Sequence, residues 1–253
     1  MLEDYIRNRR EEKEILLMTH IVMGYPSFAA SLEVVEAMVR AGVDLMELQI
    51  PFSEPIADGP VILAANQKAL GGGTTVRGCI DFAREAARRF GIPFLFMSYY
   101  NILYRYGVGR FADAMAEIGL RGAIVPDLPP EEGGEYLAAM AERRLDPIYI
   151  YAPTTTSERM RYIGETARGF IYCVARKGVT GAETDFSMEL EQYLARCRRS
   201  TRLPLAVGFG VKSRSDVDFL KGKADIAVVG SETIRLMDRE GTGAVESFIR
   251  GLR

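Results

Sequence analysis

The sequence has a single histidine, His20, and three cysteines, Cys79, Cys173 and Cys197, among its 253 residues. The cysteines are far apart and form no Cys-x-x-Cys pair, so we interpret them as free thiols in a reducing cytoplasm. With one histidine, a His-based zinc site or a His-dependent catalytic triad has little support. We therefore predict no metal site, and we interpret His20 as an interior side chain rather than a catalyst.

Long apolar segments and a marked excess of one charge are also missing. No apolar run approaches the roughly 18 residues that cross a bilayer. The N-terminal residues 1–5 are charged from the start and have no apolar signal core. The net charge is −2 and the basic residues are scattered, which argues against a nucleic-acid partner. We expect a cytoplasmic protein that binds neither membranes nor nucleic acid.

Short apolar segments alternate with longer amphipathic ones along the chain. The predicted strands are Leu16–Val22, Leu45–Ile50, Ile92–Met97, Gly122–Val125, Pro147–Tyr151, Phe170–Val174, Leu205–Val207 and Ile226–Val229. The predicted helices are Phe28–Arg40, Thr75–Phe90, Arg110–Ile118, Glu131–Arg143, Ser157–Thr166, Met188–Arg198, Ser213–Leu220 and Gly243–Arg250. Strands rich in Val, Ile and Leu, each followed by a helix, indicate a parallel sheet covered by helices.

The repeat of strand and helix predicts an α/β fold of one particular kind. Eight such units in 253 residues favour a closed (β/α)₈ barrel, a TIM barrel, over an open sheet. No linker or change of composition divides the chain, so we expect a single domain, residues 1–253. Inserted loops are expected after strand 2 (Pro51–Thr74) and strand 6 (Ala175–Asp185), on the rim where such barrels carry their active sites.

Two acids lie in and just after the second predicted strand. Because side chains alternate along a strand, Leu45, Glu47 and Gln49 share one face, and the other face is wholly apolar. If the apolar face packs on helices, Glu47 points into the barrel, where a lone carboxylate is costly unless it is paired or protonated. Asp58 follows in the next loop. Together they form a plausible acid/base pair; the alternatives are a structural ion pair for Glu47 and an ordinary Asp-Gly turn for Asp58.

Glycines follow the last two strands. Gly208-Phe209-Gly210 comes after strand 7, and Gly230-Ser231 comes after strand 8 and opens a short helical turn. Glycine allows close approach of the backbone, and N–H groups at a helix start favour an anion, so we predict a phosphate site here. Tight turns are the alternative. Gly178–Gly181, after strand 6, is either a lid with glycine hinges or an ordinary mobile loop.

Taken together, these segments resemble the α subunit of tryptophan synthase over nearly the whole chain. The most specific segment is Glu47–Pro60. The supporting segments are Tyr99-Tyr100-Asn101, Asp127–Glu132, Arg176–Ala182, Gly208-Phe209-Gly210 and Gly230-Ser231. Three positions depart from the family pattern: Gln49 replaces a glycine, Glu54 replaces an aspartate, and His20 replaces a frequent aromatic.

The resemblance implies a lyase of tryptophan biosynthesis that cleaves indole-3-glycerol phosphate to indole and glyceraldehyde 3-phosphate. It implies that Glu47 and Asp58 are the catalytic acids. The implied substrate and phosphate site comprises Tyr172, Thr180, Gly181, Phe209, Gly210, Gly230 and Ser231, and the implied closing loop contains Arg176 and Thr180. No cofactor is expected in this chain.

The resemblance also implies a partner, the β subunit of tryptophan synthase, in an α₂β₂ complex with pyridoxal phosphate bound to β. The implied contact surface is an exposed rim formed by Pro51, Ser53, Glu54 and Pro55. The alternatives are a stand-alone lyase without a β partner, a weakly catalytic barrel kept as an allosteric partner, and another phosphate-binding barrel such as an isomerase.

Overall fold

Eight parallel strands close into one barrel in the order β1-β2-β3-β4-β5-β6-β7-β8, with β8 hydrogen-bonded to β1. The computed structural model describes the backbone of residues 1–175 and 183–253 and the side chains of residues 1–175 and 188–253. The strands are β1 Leu16–Val22, β2 Leu45–Gln49, β3 Phe94–Met97, β4 Gly122–Ile124, β5 Asp146–Tyr151, β6 Ile171–Val174, β7 Leu205–Gly208 and β8 Ile226–Val229. The predicted (β/α)₈ barrel is confirmed.

Helices surround the barrel. They are α1 Leu2–Glu12, α2 Phe28–Arg40, α3 Pro60–Gly71, α4 Val76–Arg89, α5 Tyr100–Tyr106, α6 Val108–Ile118, α7 Gly134–Glu142, α8 Ser157–Thr166, α9 Glu183–Ser200, α10 Arg214–Leu220, α11 Ser231–Glu240 and α12 Thr242–Gly251, with a 3₁₀ turn at Pro130–Glu132. No helix of the described residues is long and apolar enough to cross a membrane.

The differences from the predicted elements have local causes. Half of the predicted loop Pro51–Thr74 is helix α3, which begins with Pro60 at its first position, where a missing N–H group costs nothing. The predicted helix Glu131–Arg143 is interrupted at Gly133, which separates the 3₁₀ turn from α7. The predicted loop after strand 6 lies largely outside the described residues, and α9 begins at Glu183 within its predicted bounds.

Two apolar layers flank the strands. One lies inside the barrel and includes Leu45 of β2 and Leu95 of β3. The other lies between the strands and the surrounding helices and includes Met46 and Leu48. The predicted alternation in β2 is therefore confirmed, and it directs Glu47 and Gln49 into the barrel, where they are 3% and 0% exposed.

Helix α1 packs against the interior apolar layer at the N-terminal end of the barrel, and Asp44 is one of the carboxylates that hold it there. The side chain of Asp44, 0% exposed, lies 2.5 Å from Lys13 Nζ, 2.7 Å from Arg253 Nη2 and 3.4 Å from Arg9 Nη2. It also accepts a hydrogen bond of 2.9 Å from the backbone N–H group of Leu17 in β1. Asp44 thus joins α1, β1 and the C-terminal residue.

Candidate active site

Glu47 lies in the barrel interior between two side chains of other strands. Its register partner on β1 is His20, whose Nδ1 lies 3.3 Å from Glu47 Oε1. The hydroxyl group of Tyr172, on β6, donates to the same oxygen at 3.4 Å. Among the described residues, no Arg or Lys pairs with this carboxylate, and its polar neighbours are His20 and Tyr172.

Asp58 is carried by the loop between β2 and α3 and points back to the strand that precedes it. Gln49 Nε2 donates to Asp58 Oδ2 at 2.6 Å. The loop backbone is fixed by two further bonds, from Asp58 N to Pro55 O at 3.0 Å and from Ala57 N to the hydroxyl oxygen of Tyr99 at 3.1 Å. Although Asp58 occupies a turn, its side chain is held toward the barrel.

One cavity of about 140 Å³ brings the two acids together. Its lining includes Glu47, Asp58, His20, Tyr172 and Gly230, and its remaining walls are apolar side chains such as Met97, Ile124 and Ile150, with Pro126. An apolar wall with a few converging polar groups is typical of a site for a small organic ligand. The predicted pairing of Glu47 and Asp58 in one site agrees with this arrangement.

Burial and neighbouring charges act in opposite directions on the titratable groups of the cavity. Burial raises the pKa of Asp58, while the hydrogen bond from Gln49, the charge of His20 and the Tyr99 hydroxyl lower it; the net shift is upward. Burial lowers the pKa of His20, but the hydrogen bond and charge of Glu47 outweigh it, so this pKa is raised. Burial and Glu47 raise the pKa of Tyr172, which keeps this hydroxyl protonated as a donor.

Four residues of the predicted phosphate site, Phe209, Gly210, Gly230 and Ser231, follow β7 and β8. Gly230 lines the cavity and precedes α11, whose first turn begins at Ser231 and has no side-chain cap. Helix N–H groups without such a cap are suited to an anion. Gly210 has φ +87°, and a Cβ atom there would meet nothing within 4 Å, so its surroundings have room for a ligand group.

Phe209 and Gly208, at the end of β7, have different structural roles. The ring of Phe209 is 5% exposed and packs in the outer apolar layer, 6.5 Å from the ring of Phe219 between centroids. At Gly208, a Cβ atom would lie 3.0 Å from the Tyr172 hydroxyl oxygen. Because Gly208 has no side chain, the Tyr172 hydroxyl can lie beside Glu47. Sequence reasoning did not link Gly208 to Tyr172.

The predicted rim of the second loop is only partly exposed, and here the sequence prediction was wrong for two residues. Pro51 and Pro55 are buried: Pro51 directly continues the buried end of β2, and the carbonyl oxygen of Pro55 accepts a hydrogen bond from Asp58 N. Ser53 and Glu54 are exposed as expected. Sequence reasoning missed Ile56, which is 79% exposed between them and Asp58. An isolated Ile in a polar loop was the available signal.

Helix α5 carries an exposed aromatic side chain. Tyr104, on α5 after strand β3, is 67% exposed. Three other predicted residues, Arg176, Thr180 and Gly181, lie outside the described residues. Within the described part of the chain, no group of three or more His, Cys, Asp or Glu side chains could hold a metal ion.

A family model and named relatives both match this chain over nearly its whole length. The family model described as tryptophan synthase alpha chain matches residues 6–250. Proteins named tryptophan synthase alpha chain from Desulforapulum autotrophicum and Syntrophotalea carbinolica are each 65% identical to this chain, and each alignment covers 100% of both sequences.

Solved structures with the same architecture are also similar along nearly the whole chain. A crystal structure of tryptophan synthase from M. tuberculosis has a TM-score of 0.91 at 32% identity, covering 99% of this chain and 97% of that chain. The tryptophan synthase subunit alpha of Legionella pneumophila has a TM-score of 0.90 at 27% identity, covering 99% and 96%.

Proposed function

Because the chain belongs to the tryptophan synthase alpha chain family, we propose that Glu47 and Asp58 are the acids with which it cleaves indole-3-glycerol phosphate to indole and glyceraldehyde 3-phosphate. The chain is a carbon–carbon lyase of tryptophan biosynthesis. The observation that carries the residue assignment is the single cavity lined by both carboxylates.

The reaction is a retro-aldol cleavage in which the indole ring accepts the bonding electrons. A proton is added at ring carbon 3, which gives a cationic indolenine. The adjacent glycerol hydroxyl loses its proton as its carbon becomes the aldehyde carbon. The carbon–carbon bond breaks, and its electron pair restores the neutral aromatic ring. One acid that gives and takes protons and one anion at the ring nitrogen are sufficient for this sequence.

Glu47 is suited to the two proton transfers. It is 3% exposed, so water does not compete with substrate for its carboxyl group. Its Oε1 is approached by His20 Nδ1 and by the Tyr172 hydroxyl, which fix its orientation. Positioned acid–base groups of this kind contribute about 10²–10⁴-fold to rate.

Asp58 is suited to the ring N–H group, since an ionised carboxylate accepts its hydrogen bond and stabilises the positive charge that develops on the ring. Both carboxylate oxygens can accept hydrogen bonds. The bond from Gln49 to Oδ2 therefore does not exclude a second bond to substrate.

The phosphate group is assigned to the glycines that follow β7 and β8, of which Gly230 lines the cavity. We assign it to the backbone around Gly210 and to the start of α11 at Gly230 and Ser231, on the grounds of the open space at Gly210 and the first turn of α11. Phe209 contributes through its backbone. The family resemblance adds Thr180 and Gly181 to this site, and it adds Arg176 and Thr180 to a loop that closes over substrate.

We propose a β subunit of tryptophan synthase as the partner, in an α₂β₂ complex of the cytoplasm, with pyridoxal phosphate bound by β and no cofactor in this chain. Ser53 and Glu54 form the exposed part of the proposed contact surface, and the neighbouring Pro51 and Pro55 are buried. The family resemblance favours a partner over a stand-alone lyase, and Ile56, 79% exposed, lies in the same loop as the proposed contact residues.

The assignment of Glu47 is tested by Glu47→Gln, which keeps the shape of the side chain but cannot transfer a proton. We expect aldehyde and indole release to fall by about 10²–10⁴-fold, while affinity for a glycerol phosphate analogue stays close to that of the wild type. The matched control is Glu85→Gln on α4, an exposed acid paired with Arg89. Activity of Glu47→Gln within a few-fold of the wild type would show that Glu47 is structural.

A further inference from the structure

Gln49 is a polar side chain in the barrel interior whose amide group contacts one of the two acids. It is 0% exposed, and its Nε2 lies 2.6 Å from Asp58 Oδ2. Burying an amide is costly unless it is hydrogen-bonded. The amide oxygen Oε1 has no hydrogen-bond partner among the described residues. The bond from Nε2 to Asp58 is therefore the contact that offsets the cost of burying the amide.

The backbone of Gln49 is held firmly on both sides. It pairs with Val22 of β1 and Met97 of β3, and its carbonyl oxygen accepts from Met23 N at 3.0 Å. Asp58, in contrast, belongs to a loop that reaches the surface at Ile56. The Gln49–Asp58 bond therefore ties a surface loop to a rigid strand.

The orientation of the amide follows from its partner. An ionised carboxylate only accepts hydrogen bonds, so the NH₂ group of Gln49, rather than its carbonyl oxygen, must face Asp58. Gln49 does not line the cavity, whereas Asp58 does. Gln49 also raises the pKa of His20, but its short hydrogen bond is to Asp58, so we expect its effect on substrate to pass chiefly through Asp58.

We propose, on the basis of the function assigned above, that Gln49 is a positioning residue that holds the Asp58 carboxylate at the cavity wall and favours its ionised form. The amide bond fixes Oδ2 and leaves the carboxylate able to accept from the ring N–H group of the substrate. Without it, the loop would be free to turn Asp58 away from the cavity.

Several titratable groups face Asp58 from the surrounding strands: His20 from β1, Glu47 from β2, Tyr99 after β3 and Tyr172 from β6. Burial raises the pKa of Asp58 and so does the charge of Glu47, whereas Gln49, His20 and Tyr99 lower it. Gln49 is the largest of the groups that lower it. Removing the amide therefore raises the pKa of Asp58 further and reduces its ionised fraction on the acidic side of neutrality.

The first test needs no activity. The side-chain carboxyl carbons of aspartate are labelled with ¹³C, the Asp58 signal is assigned with Asp58→Asn, and its titration is compared in the wild type and Gln49→Met. Methionine keeps the length of the side chain and removes the donor. The control is Gln67→Met, an exposed change on α3. A higher pKa of Asp58 in Gln49→Met alone supports the proposal, and an unchanged pKa overturns it.

The second test is kinetic and uses the full chain with its substrate. In Gln49→Met we expect kcat/KM at pH 7 to fall about 10- to 100-fold, the size of one lost hydrogen bond to a charged group, and the acidic limb of its pH profile to move to higher pH. In the Asp58→Asn background the same change should have a much smaller effect. Equal losses in both backgrounds, or a limb that does not move, would overturn the proposal.

Two measurements distinguish a failure of this proposal from misfolding of the variant and from a failure of the proposed function. Circular dichroism and the thermal midpoint show whether Gln49→Met is folded. Gln49→Leu is a second apolar variant, and the titration uses whichever of the two is folded. If the wild type releases no indole from indole-3-glycerol phosphate, the proposed function fails, and the ¹³C titration still decides the role of Gln49.

Discussion

Asp44→Asn should destabilise the fold strongly although Asp44 is far from the cavity. Asparagine keeps the shape and can still accept from Leu17 N, but it loses the charge that faces Lys13, Arg9 and Arg253. Breaking a buried ion pair costs about 3–5 kcal/mol. These three cations are 25%, 35% and 28% exposed, so water compensates part of the loss, and we expect about 2–3 kcal/mol.

The effect has a defined dependence on pH. The pKa of Asp44 is lowered because its hydrogen bonds and cationic neighbours outweigh burial. A group whose pKa is depressed in the folded state stabilises the fold above its unfolded pKa of about 3.9, and this contribution is lost as pH falls through the folded value. The difference between wild type and Asp44→Asn should therefore be constant near neutrality and shrink below about pH 4.

Urea unfolding followed by circular dichroism measures this difference at several pH values. At neutral pH the thermal midpoint should fall by roughly 4–12 °C for a chain of this size. The matched control is Asp81→Asn, an exposed acid paired with Arg84, which should change stability by less than about 0.5 kcal/mol. A loss below about 1 kcal/mol, or one that does not depend on acid pH, would show that Asp44 is not the anchor of α1 and the C-terminal residue.

Three further changes test the site. Gly210→Val should weaken binding of a glycerol phosphate analogue about tenfold or more, because it fills the open space and strains a backbone with φ +87°; unchanged affinity by calorimetry would move the phosphate elsewhere. Gly208→Ala should lower kcat more than it raises KM, since the added Cβ pushes the Tyr172 hydroxyl from Glu47; normal kcat would contradict the role of this tyrosine. Glu54→Ala should reduce the rate activation caused by an added β subunit, since such coupling is typically about 1–3 kcal/mol. The slow activity of the isolated chain should stay nearly unchanged, and full activation of the variant would exclude Glu54 from the contact.

Much of the fold could be predicted because alternating and helical patterns are local. The bounds of β1, β8, α2 and α8 agree with those predicted, and the alternation in β2 correctly directed Glu47 into the barrel. Helix α3 was missed because the proline and glycine residues of the preceding loop dominate that part of the sequence.

The contacts of the site depend on three-dimensional arrangement, and their prediction was less complete. Nothing in the local pattern indicates that Gln49 turns toward Asp58 rather than toward Glu47 or substrate. The exposure of Pro51 and Pro55 was predicted wrongly, because proline is typical of surface turns and the burial here comes from the strand end and from the loop that folds over it. Pairing of Glu47 with His20 required knowledge of the strand register.

The closure of β8 onto β1 makes the site a late product of chain folding. The seam pairs Leu16–Thr19 with Ile226–Val229, and the cavity lies across it, with His20 on one side and Gly230 on the other. Contacts between such distant parts of a chain carry a large entropy cost and form slowly. A nascent chain that has already made Glu47, Asp58 and Tyr172 therefore has the proposed reactive groups but lacks the wall to which we assign the phosphate end of the substrate. We expect it to gain activity only when its last strand has left the ribosome and docked.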